Sequence, residues 1–384
     1  MSLFSEQYKG QNLSSMHNTN PESFTQVELE ETIGQPFNNI LQNVSLGFAA
    51  DAGTVALRQT MADFHYECIT SDEVITHAGA QEALFCAFSA LLQAGDRVLV
   101  VTPIFEPLLQ IPINIGCVLR SVNLDVNNNW SLNLDDVEAE FKLGCRLFVI
   151  NFPHNPTGAT LTETELKHLI NLCKKYDVWL LSDEVFRGLE HVEQYRLPAV
   201  ADIYKKGISI GVISKAFAVP GIRIGWLVCR HEKLRTRIID IKGYLSICNS
   251  QIDELLASVI LKKPEKLLER NIKIILKNKM LLMNIKSIEN HNVEMFVPNA
   301  GCCVFAILKH KKSDIINLQA KEKIEACYLN GSQALVNTLA KESGYLLYPS
   351  SLFKTKVQAV RIGFGSRDFI GFLKKINGEN YDKK

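Results

Sequence analysis

The feature that most constrains the fold is an alternation of short apolar runs and helical segments between residues 74 and 229. Runs rich in Val, Ile and Leu predict seven strands, at Val74–Thr76, Arg97–Val101, Cys117–Val122, Leu147–Asn151, Val178–Ser182, Ile208–Ile213 and Ile224–Cys229. Helical spacing of apolar residues predicts helices at Gln81–Gln93, Leu134–Lys142, Glu163–Tyr176 and Ala199–Tyr204. The strands lack polar alternation, which is typical of sheets covered on both faces. The pattern therefore predicts an α/β domain with a mostly parallel seven-stranded sheet.

The remainder of the chain predicts a long helix and a smaller domain. Leu261–Ser287 is rich in Lys and Leu at helical spacing, and strands at Cys302–Leu308 and Gln358–Gly363 mix with helices. Residues 1–30 are polar and are interpreted as a loose arm, followed by a turn at Gly34. We expect an N-terminal arm with part of the small domain over 1–45, a large domain over 46–265 and an α+β small domain over 266–384.

Composition excludes several classes of partner. Lys and Arg total 42 against 41 Asp and Glu, so no basic field favours nucleic acid or a membrane surface. The longest apolar runs are far too short to cross a bilayer, and the N-terminus shows no secretory signal pattern. The 10 cysteines include no C-x-x-C pair and the histidines form no metal-binding spacing. These observations predict a cytoplasmic protein without a metal.

Lys215 is the most informative single residue. It follows the apolar run Ile208–Ile213, and a Pro-Gly turn at Pro220–Gly221 precedes Arg223. A compact ammonium is costly to bury, so a lysine at the end of a core strand either reaches out to water, pairs with a buried acid or forms an imine with a carbonyl cofactor.

Other strand ends carry residues that suit one ligand. Gly79, Ala80 and Gln81 open a helix whose free N–H groups bind anions, and Phe105 is placed to lie flat on an aromatic ring. Asn155 in an Asn-Pro-Thr-Gly turn can direct an amide inward, and Asp183 can either accept a hydrogen bond from a protonated ring nitrogen or cap the following helix. Arg361, in a short apolar segment, pairs with a carboxylate. Together they predict a site for pyridoxal 5′-phosphate and an amino acid.

The pattern S-K-x-x-x-x-P-G-x-R-x-G-W, with D-E-x-F and N-P-T-G before it, resembles the class I/II aminotransferases of fold type I over about residues 30–370. The sequence segments SDEVFRGLEH and GYLSICNS further resemble the capreomycidine synthase-like branch of this family. The resemblance implies a large domain that binds pyridoxal phosphate, a homodimer with the active site at its interface, and amino acid and 2-oxo acid substrates.

The resemblance also implies a role for each residue. Lys215 forms the Schiff base and moves the α-proton, while Asp183 keeps the pyridine nitrogen protonated. Asn155 binds the phenolic oxygen and Phe105 stacks on the ring. The phosphate is bound by the group Gly79, Ala80, Gln81, Ser214 and Arg223; Arg361 binds the substrate carboxylate beside the Gly34 backbone.

Three positions depart from the family pattern by lacking a hydroxyl. Phe186 stands where tyrosine commonly donates to the phenolic oxygen, Phe48 where a tyrosine reaches the partner's phosphate, and Val212 where a serine is usual. We expect weaker cofactor retention, because each hydrogen bond to a charged group contributes about 1.5–3 kcal/mol.

Three functions remain open from the sequence. Amino-group transfer is the first, and elimination, replacement or cyclisation through the same Schiff base is the second. A catalytically silent protein that binds pyridoxal phosphate is the third, and the presence of Lys215 argues against it. The sequence shows no second arginine for a distal carboxylate, which disfavours aspartate and glutamate. Cys302 and Cys303 are interpreted either as neighbours of the substrate entrance or as buried structural residues.

Overall fold

The computed structural model describes residues 2–42, 44–283, 293–308 and 321–376, without the side chains of residues 2–3, 293 and 321–330. The strands are β1 (Ser14–Ser15), β2 (Val74–His77), β3 (Arg97–Thr102), β4 (Val118–Asn123), β5 (Leu147–Ile150), β6 (Trp179–Asp183), β7 (Gly207–Val212), β8 (Gly225–Cys229), β9 (Val293–Glu294), β10 (Cys303–Leu308), β11 (Tyr345–Leu346), β12 (Tyr348–Pro349) and β13 (Ala359–Gly363). The helices are α1 (Ser2–Glu6), α2 (Gln26–Ile33), α3 (Phe37–Leu41), α4 (Val55–His65), α5 (Ala80–Leu91), α6 (Glu106–Ile115), α7 (Leu134–Lys142), α8 (Glu163–Tyr176), α9 (Val200–Ile203), α10 (Glu232–Gly243), α11 (Gln251–Ile260), α12 (Pro264–Met283), α13 (Lys321–Ser343) and α14 (Phe369–Ile376).

The central sheet has seven strands in the order β2-β8-β7-β6-β5-β3-β4. Strands β7, β6, β5, β3 and β4 are parallel, whereas β8 is antiparallel to both of its neighbours. The predicted seven strands and the mostly parallel sheet are therefore confirmed. Strands β5, β6 and β7 are buried throughout, as their uninterrupted apolar sequences predicted. Ligands of such sheets bind at the carboxyl ends of the parallel strands.

The helices cover this sheet on both faces, and local sequence signals define their ends. Helix α8 begins with a capping box in which the Thr162 hydroxyl accepts from the Glu165 N–H, while the Glu165 carboxylate accepts from the Thr162 N–H. Helix α12 covers most of the predicted Leu261–Ser287 helix, whose residues 284–287 lie outside the described residues. No helix in the described part of the chain is long and apolar enough to span a membrane.

A second sheet has four antiparallel strands in the order β12-β13-β10-β9. It confirms the strands predicted at Cys302–Leu308 and Gln358–Gly363, and it lies on the C-terminal side of residue 265. The domain boundaries themselves remain a prediction.

The N-terminal segment differs from the expected loose arm. Strand β1 pairs in parallel with β11, and α2 has its own capping box at Thr25. The Gly363 N–H then donates to the Met16 carbonyl at 2.6 Å, and a side chain at Gly363 would collide with the Asn18 carbonyl. The segment is ordered because the glycine lets its backbone pack directly against β13. No periodic pattern of apolar residues within residues 1–30 predicts this contact.

Candidate active site

A cavity of about 320 Å³ opens where the carboxyl ends of β3, β5, β6 and β7 meet the N-terminal segment and the second sheet. Its lining includes nearly all of the predicted site residues, namely Ala80, Gln81, Phe105, Asn155, Asp183, Phe186, Ser214, Lys215, Arg223 and Arg361. Residues scattered over most of the chain are thereby brought to one place. The structure groups them; their individual roles remain proposals.

Two predicted residues lie outside this lining. Gly79 is the N-cap of α5, with φ of 91°, directly before the lining residues. A side chain at Gly79 would overlap the Arg223 guanidinium, so only glycine permits this approach. Gly34 ends α2 in the left-handed region, beside the Lys263 amine. The structure does not bring Gly34 to the cavity. Residues 17–20 of the N-terminal segment line the cavity beside Arg361 instead.

The Lys215 amine donates a hydrogen bond to the Thr19 hydroxyl at 2.9 Å. Dense packing around it lowers the pKa of this amine below its ordinary value, and the Arg361 cation acts in the same direction. The sequence places Lys215 at the end of β7, as predicted. The tertiary structure adds Thr19, which is 196 residues distant in the chain.

Asp183 ends β6 and is buried. One of its carboxylate oxygens accepts from the Val185 N–H at 3.2 Å. Burial raises the pKa of this carboxyl to about 7, against the opposing effects of that hydrogen bond and of the Lys215 cation. A cationic N–H donor placed against this carboxylate would favour its charged form.

Arg361 projects from the middle of β13 and is 4% exposed. Its Nη1 donates to the Asn155 side-chain oxygen at 2.9 Å, and its Nη2 donates to the His17 carbonyl at 2.6 Å. Its Nε has no hydrogen-bond partner among the described residues. The charge-assisted bonds of this buried guanidinium to the site and its place in the cavity lining suit contact with an anion such as a carboxylate.

Asn151 was not predicted to belong to the site, although it ends the predicted strand Leu147–Asn151. Its amide donates to the Asp183 carbonyl at 2.7 Å, and its side-chain oxygen accepts from the Asn155 N–H at 3.0 Å. It therefore ties the loop after β5 to the end of β6. The only signal in the sequence is a polar residue directly after an apolar strand.

The three departures from the family pattern lie in different environments. Phe186 and Val212 are buried and line the cavity. Phe48 is 83% exposed on the surface of the chain. The paired cysteines Cys302 and Cys303 are fully buried at the start of β10, and burial raises the pKa of both thiols. The structural interpretation of these cysteines fits their burial better than a place at the substrate entrance.

Comparison with known proteins assigns the chain to a family. The family model described as aminotransferase class I and II matches residues 10–368. Capreomycidine synthase of Streptomyces vinaceus is 31% identical over 60% of this chain and 59% of its own length. Arginine–pyruvate transaminase of Pseudomonas aeruginosa is 32% identical over 47% of each chain. The chain thus spans only about half to three-fifths of the length of these two relatives.

Solved structures show the same fold along the whole chain. A PLP-dependent aminotransferase from Streptococcus suis superposes with a TM-score of 0.84, at 24% identity, over 99% of this chain and 98% of its own. Aspartate aminotransferase of Thermotoga maritima superposes with a TM-score of 0.77, at 21% identity, over 98% and 94% of the two chains. Both comparisons confirm the fold predicted from the sequence.

Proposed function

Because the chain belongs to the class I and II aminotransferase family, whose members depend on pyridoxal 5′-phosphate, we propose that it transfers an amino group between an amino acid and a 2-oxo acid. The observation that carries this proposal is the meeting of Lys215, Asp183 and Arg361 in one cavity. An amine, a buried carboxylate and an unpaired guanidinium are the groups that this reaction requires of the protein.

The residues present fit the cofactor. The N-terminus of α5, after the tight approach at Gly79, presents N–H groups beside Ser214 and Arg223, which suits a phosphate. Arg223 is itself oriented, because its guanidinium donates to the Ala78 and Pro220 carbonyls. A side chain at Gly225 would overlap the backbone of Gly79, so glycine is needed behind this loop as well.

When bound, the cofactor supplies an aldehyde for an amine and a ring that withdraws electrons from the substrate α-carbon. The lowered pKa of Lys215 favours a neutral amine, which accepts the proton that leaves this carbon. Thr19 holds the amine within the cavity by the hydrogen bond to its hydroxyl. Asp183 would hold a proton on the ring nitrogen, because a cationic N–H beside it would favour the charged form of this buried carboxylate.

Arg361 and Asn155 orient the remaining groups. Arg361 lines the cavity, and its guanidinium is proposed to bind the α-carboxylate of the substrate. Because the Asn155 oxygen already accepts from Arg361, its amide N–H groups remain as donors for an anionic ring oxygen. Phe105 lines the same cavity as a flat apolar surface for the ring.

A second candidate is elimination or cyclisation of an amino acid through the same lysine. The observation that favours it is the 31% identity to capreomycidine synthase. Loss of hydroxyls at Phe186 and Val212 changes the cavity without touching Lys215, Asp183 or Arg361, so both reactions remain compatible with the site.

The chain is further proposed to form a homodimer in the cytoplasm. Leu46, Phe48, Tyr244, Leu245 and Ile247 are all at least half exposed. The two segments are neighbours, because the Gln251 amide donates to the Phe48 carbonyl and the Lys242 amine donates to the Asp51 carbonyl. An exposed apolar patch of this kind is typical of a protein interface.

The test follows the absorption of the bound cofactor while each of a panel of amino acids is added, with product analysis. We expect conversion to the pyridoxamine form together with release of the 2-oxo acid, and return on adding a 2-oxo acid. Lys215→Ala should lower turnover by at least about 10³-fold, because it removes both the nucleophile and the base.

Lys233→Ala, on the exposed face of α10, is the matched control and should keep full turnover. Product formation without any pyridoxamine form would contradict transamination and support elimination or cyclisation. Turnover that survives in Lys215→Ala would contradict both candidate functions.

A further inference from the structure

The wall of the cavity formed by His17 and Tyr348 has no role in the reaction proposed above. The imidazole of His17 lies parallel to the Tyr348 ring, with centroids 4.2 Å apart and an angle of 13° between the planes. The Tyr348 ring is itself held, because its hydroxyl and the Ser5 hydroxyl form a hydrogen bond of 2.9 Å. The imidazole is therefore fixed in orientation at the cavity.

The hydrogen bonding of His17 determines its tautomer. Nδ1 lies 3.3 Å from the Leu346 carbonyl oxygen. A carbonyl oxygen only accepts, so Nδ1 carries the proton and Nε2 of the neutral ring is an acceptor. Nε2 has no hydrogen-bond partner among the described residues and remains accessible to solvent. The ring thus offers the cavity one fixed, unused acceptor.

This imidazole stays neutral at physiological pH. Burial lowers its pKa to about 4, and the nearby Arg361 and Lys215 cations act in the same direction. Among the described residues, Asp183 is the only one with a carboxylate that lines the cavity. A neutral imidazole carries no charge that would attract a second carboxylate or serve as a counter-ion to a cationic side chain.

The position of His17 relative to a bound amino acid follows from its neighbours. Arg361, which is proposed to bind the α-carboxylate, also donates to the His17 carbonyl. Lys215, which faces the α-carbon in the proposed reaction, donates to Thr19 two residues further on. His17 therefore lines the cavity beside both residues that are proposed to act on the amino acid, where a substrate side chain can reach its ring.

We propose that His17 is a specificity-determining residue, whose Nε2 accepts a hydrogen bond from the side chain of the substrate. The favoured substrates are neutral amino acids that carry an O–H or N–H donor, over isosteres that lack one. This inference rests on the proposed function. It deepens that function, because it names the class of side chain that the cavity selects.

The experiment compares two nearly isosteric pairs on the holoenzyme, threonine with valine and glutamine with methionine, together with arginine and aspartate. For at least one pair we expect kcat/KM to be about tenfold or more higher for the donor, because the non-donor leaves the Nε2 acceptor unpaired. Arginine and aspartate should both be poorer substrates than the favoured donor.

Two variants separate the acceptor from the position of the ring. In His17→Asn the amide retains the donor toward Leu346 but has no group at the place of Nε2, so the preference should fall to about one. In His17→Gln the side-chain amide reaches the place of Nε2, and part of the preference should return. His168→Asn, on the exposed face of α8, is the matched control and should keep the wild-type preference.

Cofactor content and thermal unfolding of each variant identify any that fails to fold. If His17→Asn fails to fold, the comparison of substrate preference is made between His17→Gln and the wild type. A preference near one in the wild type, an equal preference in His17→Asn, or a best substrate that is charged would overturn the assignment of His17. If no amino acid changes the absorption of the bound cofactor, the proposed function fails, and this inference falls with it.

Discussion

At the scale of single residues, the site is built by buried polar groups with defined partners. The Asn155 side-chain oxygen accepts from Arg361, and the Asn155 backbone N–H donates to the Asn151 side-chain oxygen, so both the side chain and the backbone of Asn155 have defined partners. Phe186 is the opposite case, since it brings a large apolar ring with no donor into the same cavity.

We therefore predict that Phe186→Tyr strengthens cofactor binding. A hydroxyl at this position would donate to the anionic ring oxygen, and hydrogen bonds to charged groups contribute about 1.5–3 kcal/mol, so the cofactor Kd should fall about tenfold or more. Titration of the apo-protein with pyridoxal phosphate, followed by absorbance, measures the change.

Phe85→Tyr, on the half-exposed surface of α5, is the control and should leave the Kd unchanged. An unaltered or higher Kd in Phe186→Tyr would show that the ring at this position does not face the phenolic oxygen.

At the scale of elements, the loop after β5 is held by a buried histidine. His154 Nε2 donates to the Pro103 carbonyl at 3.0 Å, so its Nδ1 accepts from the Thr157 hydroxyl at 2.8 Å. These bonds connect the loop that carries Asn155 to the loop after β3 that carries Phe105. One side chain outside the cavity lining thereby connects the loops of two residues that line the cavity.

This arrangement predicts a specific pH dependence of stability. Burial lowers the pKa of His154 to about 3, so the unfolded chain takes up the proton first as the pH falls. The contribution of the neutral His154 to the free energy of unfolding is complete above about pH 6.5 and is lost as the pH falls toward 3. Between pH 6.5 and 5 the loss amounts to about 2 kcal/mol.

Urea unfolding of the apo-protein at several pH values measures this effect. His154→Gln should show a correspondingly smaller fall in the free energy of unfolding between pH 6.5 and 5 than the wild type. His168→Gln, at an exposed position, serves as the control. Equal pH slopes in wild type and His154→Gln would contradict the prediction.

At the scale of the whole molecule, the exposed apolar segments around Phe48 and Tyr244 are neighbours on the surface, and the Tyr244 segment adjoins the first turn of α5. The Glu82 carboxylate, on the first turn of α5, accepts from the Ala78 N–H and lies near Ser246. A partner on this surface would therefore cover residues adjoining the cofactor site.

We predict that Tyr244→Arg weakens the proposed homodimer. Tyr244 is 91% exposed in the single chain, and a charge placed at the core of an apolar interface is costly to desolvate. Light scattering after size exclusion should give twice 43.1 kDa for the wild type and a mass shifted toward 43.1 kDa for the variant.

Val118→Arg, on the edge strand β4, provides a control with a similar change at a different surface. The interface would be elsewhere if both variants remained dimeric, and the dimer itself would be disproved by a wild type that elutes as a monomer.

The sequence alone determined the central sheet and most of the site, since both depend on short-range patterns. Apolar runs define the strands, and the rule that ligands bind at carboxyl ends groups Phe105, Asn155, Asp183 and Lys215 without any long-range contact. The same reasoning could not place residues 17–20, because a polar extended segment has the same local pattern whether it is solvated or packed. Its position depends on contacts such as that of Arg361 with the His17 carbonyl, 344 residues apart in the chain, and on the absence of a side chain at Gly363. Only the tertiary structure therefore decided which residues complete the wall of the cavity, because that wall consists of contacts between distant parts of the chain.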